Sequence, residues 1–342
     1  GLYDQVVGIL KEEKKNIFEL AGVEPNPKLS LVKEGIRIVK EKKIDLILAV
    51  GGGSAIDSAK AIGLGGKYDG DVWDFFTGKK DVETTVPVGV ILTIPATGSE
   101  ASTGTVITKE EGLYKRSVGH NIMRPVFAIM DPKLTLSLPD KQTFAGVMDI
   151  LSHIFERYFT RTKNVNLIDY MSEGAMRSII ENAYKLKENR DDYAARAEIM
   201  LAGTLAHNGL LGMGRVDDWA SHNIAHEISA LYEETHGVTL AIIFPAWMKY
   251  VYKEDLDRFV QFAKNVFNVD GKDKSKEEIA LEGIENFENF LRDLGLPARF
   301  SEANLAVDEF ELMASKATEE GNLGNFKKLF KEDIIKIYNL AK

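Results

Sequence analysis

Three of the chain's six histidines fall in one short stretch, DWASHNIAHEISALYEETHG (218–237): His222, His226 and His236. His222 and His226 are four residues apart, which puts both rings on one face of a helix. A second pair, in DILSH (149–153), gives Asp149 and His153 the same spacing. One such pair is an ordinary polar helix face. Two pairs, with His236 set just ahead of Gly237, are the pattern of a metal site. The chain has no cysteine, so disulfides and thiolate sites are excluded and any metal must be held by His, Asp or Glu. Three imidazoles and one carboxylate make a mixed nitrogen–oxygen shell suited to Fe(II) or Zn(II), with one position left for a substrate. His120 and His207 lie outside these patterns and read as surface or core histidines.

A second chemistry is written in GGGSAID (51–57), directly after the apolar run IDLILAV. Glycines let the backbone approach a ligand, and the helix that follows offers free N–H groups and a positive dipole end to a phosphate. The plainer alternative is a tight strand-to-helix turn in which Ser54 caps the helix and Asp57 completes a capping box. The stretch is not the G-x-G-x-x-G fingerprint, so a pyrophosphate here is held in another way. TIPATGSEASTG (93–104), rich in Thr, Ser and Gly, follows the next apolar run, where open α/β sheets bind ligands. It is otherwise a polar loop.

These groups need a frame. A length of 342 residues suits two domains. The first part alternates: a helix over 1–14, a short strand NIFELAGV (16–23), a helix within 25–43, a strand over 44–50 buried on both faces, a helix after the glycines, and buried strands over 86–94 and 124–132. That alternation predicts a parallel, doubly wound sheet. From about 141 onward helix follows helix, as in 172–188, 191–212 and 275–295, each with apolar residues at three-to-four spacing. The boundary is placed near Pro139, giving an α/β domain over 1–139 and an all-helical domain over 140–342. DVWDFFTG (71–78) reads as packing; part of Phe244–Tyr252, close behind the histidines, is a candidate pocket lining. A net charge of −9 provides no basic stripe for nucleic acid. No apolar run is long enough to span a membrane. The absence of cysteine and of a visible signal peptide fits a cytoplasmic protein.

Taken in order, GGGSAIDSAK, PATGSE, DPKLTLSLP, D-x-x-x-H, H-x-x-x-H and the later His-Gly resemble the iron-dependent alcohol dehydrogenases, most closely their butanol dehydrogenase branch. The resemblance runs along the whole chain. It implies an N-terminal dinucleotide-binding α/β domain and an all-α C-terminal domain, the two-domain plan shared with dehydroquinate synthase, with the active site in the cleft between them. It implies that Asp149, His153, His222 and His236 hold the metal, and that His226 lies by the substrate and assists proton transfer. It implies pyrophosphate contacts at Gly51, Gly52, Gly53 and Ser54, with Asp57 beside the nicotinamide end. Thr93, Thr97 and Ser99 match the second cofactor loop, Lys115 a lysine reaching the ribose, Asn26 an adenosine-side contact, and Leu134 a segment lining the cofactor. Ser102 stands where close members often have Asn. Ahead of the part matching GLYDQV the family carries a strand–helix–strand of about 30 or more residues, whose Gly-rich turn selects NAD or NADP; the native protein is expected to have it. The implied activity is oxidation of a short primary alcohol or reduction of an aldehyde, such as butanol and butanal, with NAD or NADP and Fe(II), or Zn(II) in its place. A homodimer is implied too. The rival readings are a lyase of the dehydroquinate-synthase type, which needs several cations to grip a substrate phosphate, and a non-catalytic metal-binding protein, which needs no dinucleotide turn. Around 218–237 the nearest cation is Arg215.

Overall fold

A computed structural model describes residues 1–342. The α/β part contains α1 (Leu2–Glu12), α2 (Leu29–Lys42), β1 (Ile47–Gly51), α3 (Gly53–Gly66), α4 (Trp73–Phe76), β2 (Val88–Leu92), β3 (Gly104–Lys109), β4 (Tyr114–Gly119) and β5 (Phe127–Ile129). The helical part contains α5 (Asp140–Tyr158), α6 (Asn166–Glu188), α7 (Tyr193–His207), α8 (Ala220–Tyr232), α9 (His236–Val251), α10 (Leu256–Phe267), α11 (Lys276–Asp293), α12 (Phe310–Ala317) and α13 (Lys331–Leu340). No helix is long and apolar enough to cross a membrane.

β1, β2 and β5 form a parallel sheet in the order β1-β2-β5, with Gly51 level with Leu92 and Ile91 level with Ile129. Parallel strands share a C-terminal edge, so the loops after all three open on one side of the sheet. Only the middle strand, VGVIL, is buried throughout. The expectation that 44–50 and 124–132 are buried on both faces is corrected. Both are edge strands, with Val50 39 % and Ile129 52 % exposed, because each has a ladder partner on one side only. NIFELAGV is not a strand: it pairs with nothing and runs as irregular chain. The antiparallel hairpin β3–β4 was not anticipated, although Gly112 at φ +82° sits in its turn. It stands on α3, where Val106 N–H donates to Asp57 (3.0 Å) and the Thr105 hydroxyl to the Asp57 carbonyl (2.7 Å).

The main core lies in the helical part. α5 passes through its middle and is buried from Thr143 to Tyr158. A helix buried on every face cannot keep its polar groups solvated, so each one it carries must find a partner or a ligand. α9 lies against α5 and α8, and Gly237, its second residue, permits the approach. A Cβ there would fall inside the van der Waals envelope of the Ala145 backbone carbonyl on α5. The neighbour is backbone and cannot swing aside. Gly237→Ala is therefore expected to destabilise the fold by about 1–3 kcal/mol through overpacking and to part the helices carrying Asp149 and His236. Thermal unfolding with metal titration checks both; an unchanged unfolding midpoint would refute the close approach.

Candidate metal centre

Asp149, His153 and Glu156 lie at positions i, i+4 and i+7 of α5 and form one stripe. α8 adds His222 and His226 from its first two turns, and α9 begins with His236. Where the three helices meet, ligand atoms of Asp149, His222 and His236 lie within 4.8 Å of one another. The His222 and His236 rings are 5.4 Å apart. His153 stands beside this group, its ring 4.6 Å from that of His222 and 3.9 Å from that of His207. His226 sits one turn further on, 5.1 Å from His236 and 6.5 Å from His222.

The lone pairs in this cluster are unspent. Asp149 Oδ1, both ring nitrogens of His153 and His236 Nδ1 are buried without a hydrogen-bond partner. Asp149 Oδ1 and His153 Nε2 are 3.3 Å apart but lack hydrogen-bond geometry. Each unpaired buried group costs about 1–3 kcal/mol, so four of them together rival the net stability of a domain, about 5–15 kcal/mol. A divalent cation among them removes that cost, and the donor set suits Fe(II) or Zn(II).

Burial governs the protonation states. It pushes the Asp149 carboxyl up to about 7, against the pull of Lys115 and with a further push from Asp57. It holds His222 down to about 3, with Arg157 and Lys115 adding to the effect, and His153, His226 and His236 well below the ordinary imidazole value. The imidazoles are thus neutral, the state in which such rings can bind a metal, whereas the Asp149 carboxyl would first have to shed a proton.

Around the centre, Lys115 is buried on β4 and lowered to about 8 by desolvation. Its ammonium donates to Asn26 Oδ1 (2.9 Å), and Asn26 Nδ2 donates to the Glu234 carbonyl (3.3 Å) two residues before His236. The structure thus joins Asn26 and Lys115 to the turn between α8 and α9. On the sheet side, Gly51 closes β1, Gly52 is the N-cap of α3 and Gly53 its first residue. No side chain caps α3, which corrects the capping box of Ser54 and Asp57. Asp57 instead turns into the protein, where its oxygens take Ser99 Oγ (2.6 Å) and the N–H of Val106. The N–H groups of the first turn are left free. The glycines are required by packing as well: a Cβ on Gly52 would stand 2.8 Å from Ile94 Cβ, and one on Gly53 2.6 Å from Thr97 Oγ1. The glycine turn and the Thr93–Ser99 loop are therefore pressed together, and Thr93 N–H donates to the Gly51 carbonyl (3.0 Å). The Ser99 and Ser102 hydroxyls both face the buried Lys60 ammonium (3.0 and 3.2 Å). Leu134 is half-buried in the short turn after β5, at the same edge.

Three residues of this region were not found from the sequence. His207 was read as a surface or core histidine. It lines the centre instead, its Nδ1 2.7 Å from the Thr97 carbonyl and its ring tilted against that of His153. Trp219, with φ +65°, sets its ring tilted against His153 and His207 and edge-on to His222. Glu156 holds His222 from behind. The first two follow no period in the sequence; Glu156 does, seven residues after Asp149.

The residues 1–132 match the family model described as iron-containing alcohol dehydrogenase, and 143–341 match that of the C-terminal part of the Fe-containing alcohol dehydrogenase family. The chain belongs to the iron-containing alcohol dehydrogenase family. Among its relatives in this family, a probable NADH-dependent butanol dehydrogenase of Bacillus subtilis is 46% identical over 340 residues, 98% of this chain and 87% of the relative. An NADPH-dependent aldehyde reductase of Escherichia coli is 35% identical over 94% of this chain and 83% of its own. The crystal structure of NADH-dependent butanol dehydrogenase A from Thermotoga maritima superposes with a TM-score of 0.96 at 39% identity, covering 100% of this chain and 87% of that one. The expectations of an α/β domain joined to a helical domain, and of an oxidoreductase with an iron-type centre, hold for this member of the iron-containing alcohol dehydrogenases.

A pH dependence follows. With Asp149 as a ligand, metal binding displaces the one proton that it holds up to about 7, so metal affinity is expected to fall by up to about tenfold per pH unit below 7. Competitive chelator titrations with Zn(II) between pH 5.5 and 8.5 test this; an affinity flat from pH 8 to 6 would contradict it.

Proposed function

We propose that the chain is an NAD(P)-dependent alcohol dehydrogenase, acting as an aldehyde reductase in the reverse direction, on short primary alcohols and aldehydes such as butanol and butanal. The observation that carries this reading is the cluster of unpaired buried lone pairs beside the C-terminal edge of a parallel sheet. In this proposal 1–139 binds the dinucleotide and 140–342 binds the metal, with substrate between them. Asp149, His153, His222 and His236 hold the metal, which their neutral imidazoles and single carboxylate suit. Gly51, Gly52, Gly53 and Ser54 present the open N-terminus of α3 to the pyrophosphate. Thr93, Thr97 and Ser99 form the second wall, with Leu134 along the cofactor and Asp57 fixing the loop at its nicotinamide end. Lys115, oriented by Asn26, is the donor to the ribose.

When bound, the metal supplies Lewis acidity to the substrate oxygen and the nicotinamide supplies or takes the hydride. The protein's share is position and proton management. His226 is held neutral by burial, with Lys115 the next cause. Its neutral ring offers one N–H and one lone pair, so its role is to relay the alcohol proton rather than to hold it as an imidazolium. Half-buried His207 and Trp219 and buried Phe244 line the centre. The lyase reading finds little support in the cations. Arg215 is spent on Asp169 (2.9 Å), and Arg157 on the His153 carbonyl (2.6 Å) and the Trp219 face. Lys115 is itself bonded to Asn26 (2.9 Å).

The native protein, stripped of metal without oxygen, is expected to oxidise NADH or NADPH with butanal only after Fe(II) or Zn(II) is restored. Absence of turnover with both cofactors and both metals would overturn the proposal. His222→Ala and His236→Ala should each lose metal and activity together; turnover surviving in either would overturn the ligand set. His226→Ala should keep its metal and slow turnover by about 10²–10⁴-fold. Loss of metal in that variant, read by elemental analysis, would make His226 a ligand instead.

A further inference from the structure

Glu156 is buried beside the centre. Its carboxyl group nevertheless holds three nitrogens within hydrogen-bond distance. Oε1 faces His222 Nδ1 at 2.7 Å and accepts the His222 backbone N–H at 3.0 Å; Oε2 accepts the Trp219 backbone N–H at 2.5 Å. Two of the three come from the residue that the function above makes a metal ligand. The third comes from the N-cap of α8, held at φ +65°. One side chain of α5 thus fixes both where α8 starts and how the first ligand ring is turned.

The contact also selects a tautomer. A neutral imidazole carries one N–H. On Nδ1 that proton has a Glu156 oxygen at 2.7 Å, on a carboxyl group whose two oxygens already act as acceptors for backbone N–H groups. On Nε2 it would have only Ser152 Oγ at 3.4 Å, too long for a strong bond. The Ser152 hydroxyl donates to the Asp149 carbonyl (2.6 Å), so it offers Nε2 no proton of its own. The proton therefore belongs on Nδ1, and the lone pair of Nε2 points into the cluster with Asp149 and His236.

We propose that Glu156 is the positioning residue of the metal centre: by accepting Nδ1–H of His222 and both backbone N–H groups at the start of α8, it presents Nε2 to the metal. This rests on the assignment of His222 as a ligand. Outer partners of this kind hold a ligand's orientation and raise its basicity, and their loss costs about 10–100-fold in metal affinity. Glu156→Gln keeps the size but puts an NH₂ against one set of donors. Glu156→Asp keeps the charge but shortens the reach.

The test is Co(II) titration of the metal-free native enzyme, read by the visible absorption bands of the bound ion. Circular dichroism and binding of NADH are followed alongside. Glu156→Gln is expected to bind Co(II) about 10–100-fold more weakly with altered bands and with NADH binding intact, and Glu156→Asp to recover part of the affinity. Unaltered affinity and bands in Glu156→Gln would overturn the positioning role while leaving the ligand set standing. Full Co(II) binding by His222→Ala would overturn the ligand assignment itself, and the proposal with it. Should Glu156→Gln fail to fold, the unmodified metal-free protein decides by ¹⁵N NMR of the His222 ring. Protonated Nδ1 with bare Nε2 is required, and the opposite tautomer refutes the proposal.

Discussion

Everything around the centre follows from one constraint: α5 carries polar groups through the middle of an apolar core. Asp149, Ser152, His153, Glu156 and Arg157 are all buried, and none has water to fall back on. The chain resolves this unequally. Ser152 bonds to its own helix, Arg157 to the His153 carbonyl and Glu156 to the start of α8. Asp149 and His153 keep unpaired atoms, and so does Arg157 at Nε, which has Asp217 only at 3.7 Å. The carboxyl and imidazole of α5 that face the histidines of α8 and α9 are left with open lone pairs, which is the cost of a preformed site. Charge follows the same logic, since desolvation is the first cause of every shift among these groups, and it leaves neutral imidazoles and a reluctant carboxylate.

The second constraint is packing distance. Asp149 and His236 share a site only because α9 meets α5 at a glycine, and the glycine turn meets the Thr93–Ser99 loop only because Gly52 and Gly53 have no Cβ. The glycines that read in the sequence as a phosphate cradle are thus also the seam of the sheet edge. The two roles are compatible: close approach of the loops strips side chains from the first turn of α3, and what remains exposed is backbone N–H.

The sequence made the chemistry more legible than the fold. Helical spacing was enough to pair Asp149 with His153 and His222 with His226, because i,i+4 geometry is local. The long helices after 141 were legible for the same reason. Strand burial was not. IDLILAV and RPVFAIMDP look alike to any apolar count, but whether such a run is central or at an edge depends on strand order, which is not local. NIFELAGV has strand-like residues, yet a strand exists only where a ladder partner does. β3–β4 went unseen because its residues alternate weakly and its partner interactions lie with Asp57 on α3. His207 shows the same limit at the site: nothing in its own neighbourhood distinguishes it, and only the meeting of α7 with the Thr93–Ser99 loop brings it to His153.

The two halves of the molecule are joined at the site chiefly by polar contacts. Arg116 on β4 pairs with Glu227 on α8 (2.9 Å), Lys28 with Glu233 (2.7 Å), and Asn26 with the Glu234 carbonyl; His207 reaches Thr97, and Thr204 reaches Glu100 (2.6 Å). Most of their apolar cores form separate clusters, with Met200 of α7 packed into that of the sheet. Polar seams between domains reshape more readily than apolar cores. The arrangement therefore divides the labour. All four proposed ligands come from the helical half, so metal affinity is set within one rigid core. The proposed cofactor surface comes from the sheet edge, so the distance from substrate to nicotinamide is set across the seam. Glu227 stands at the junction, next to His226 in sequence and bound to the hairpin that carries Lys115. A shift of that hairpin would move the neighbour of the proposed proton carrier and the proposed ribose donor together, while leaving the proposed metal donors where they are.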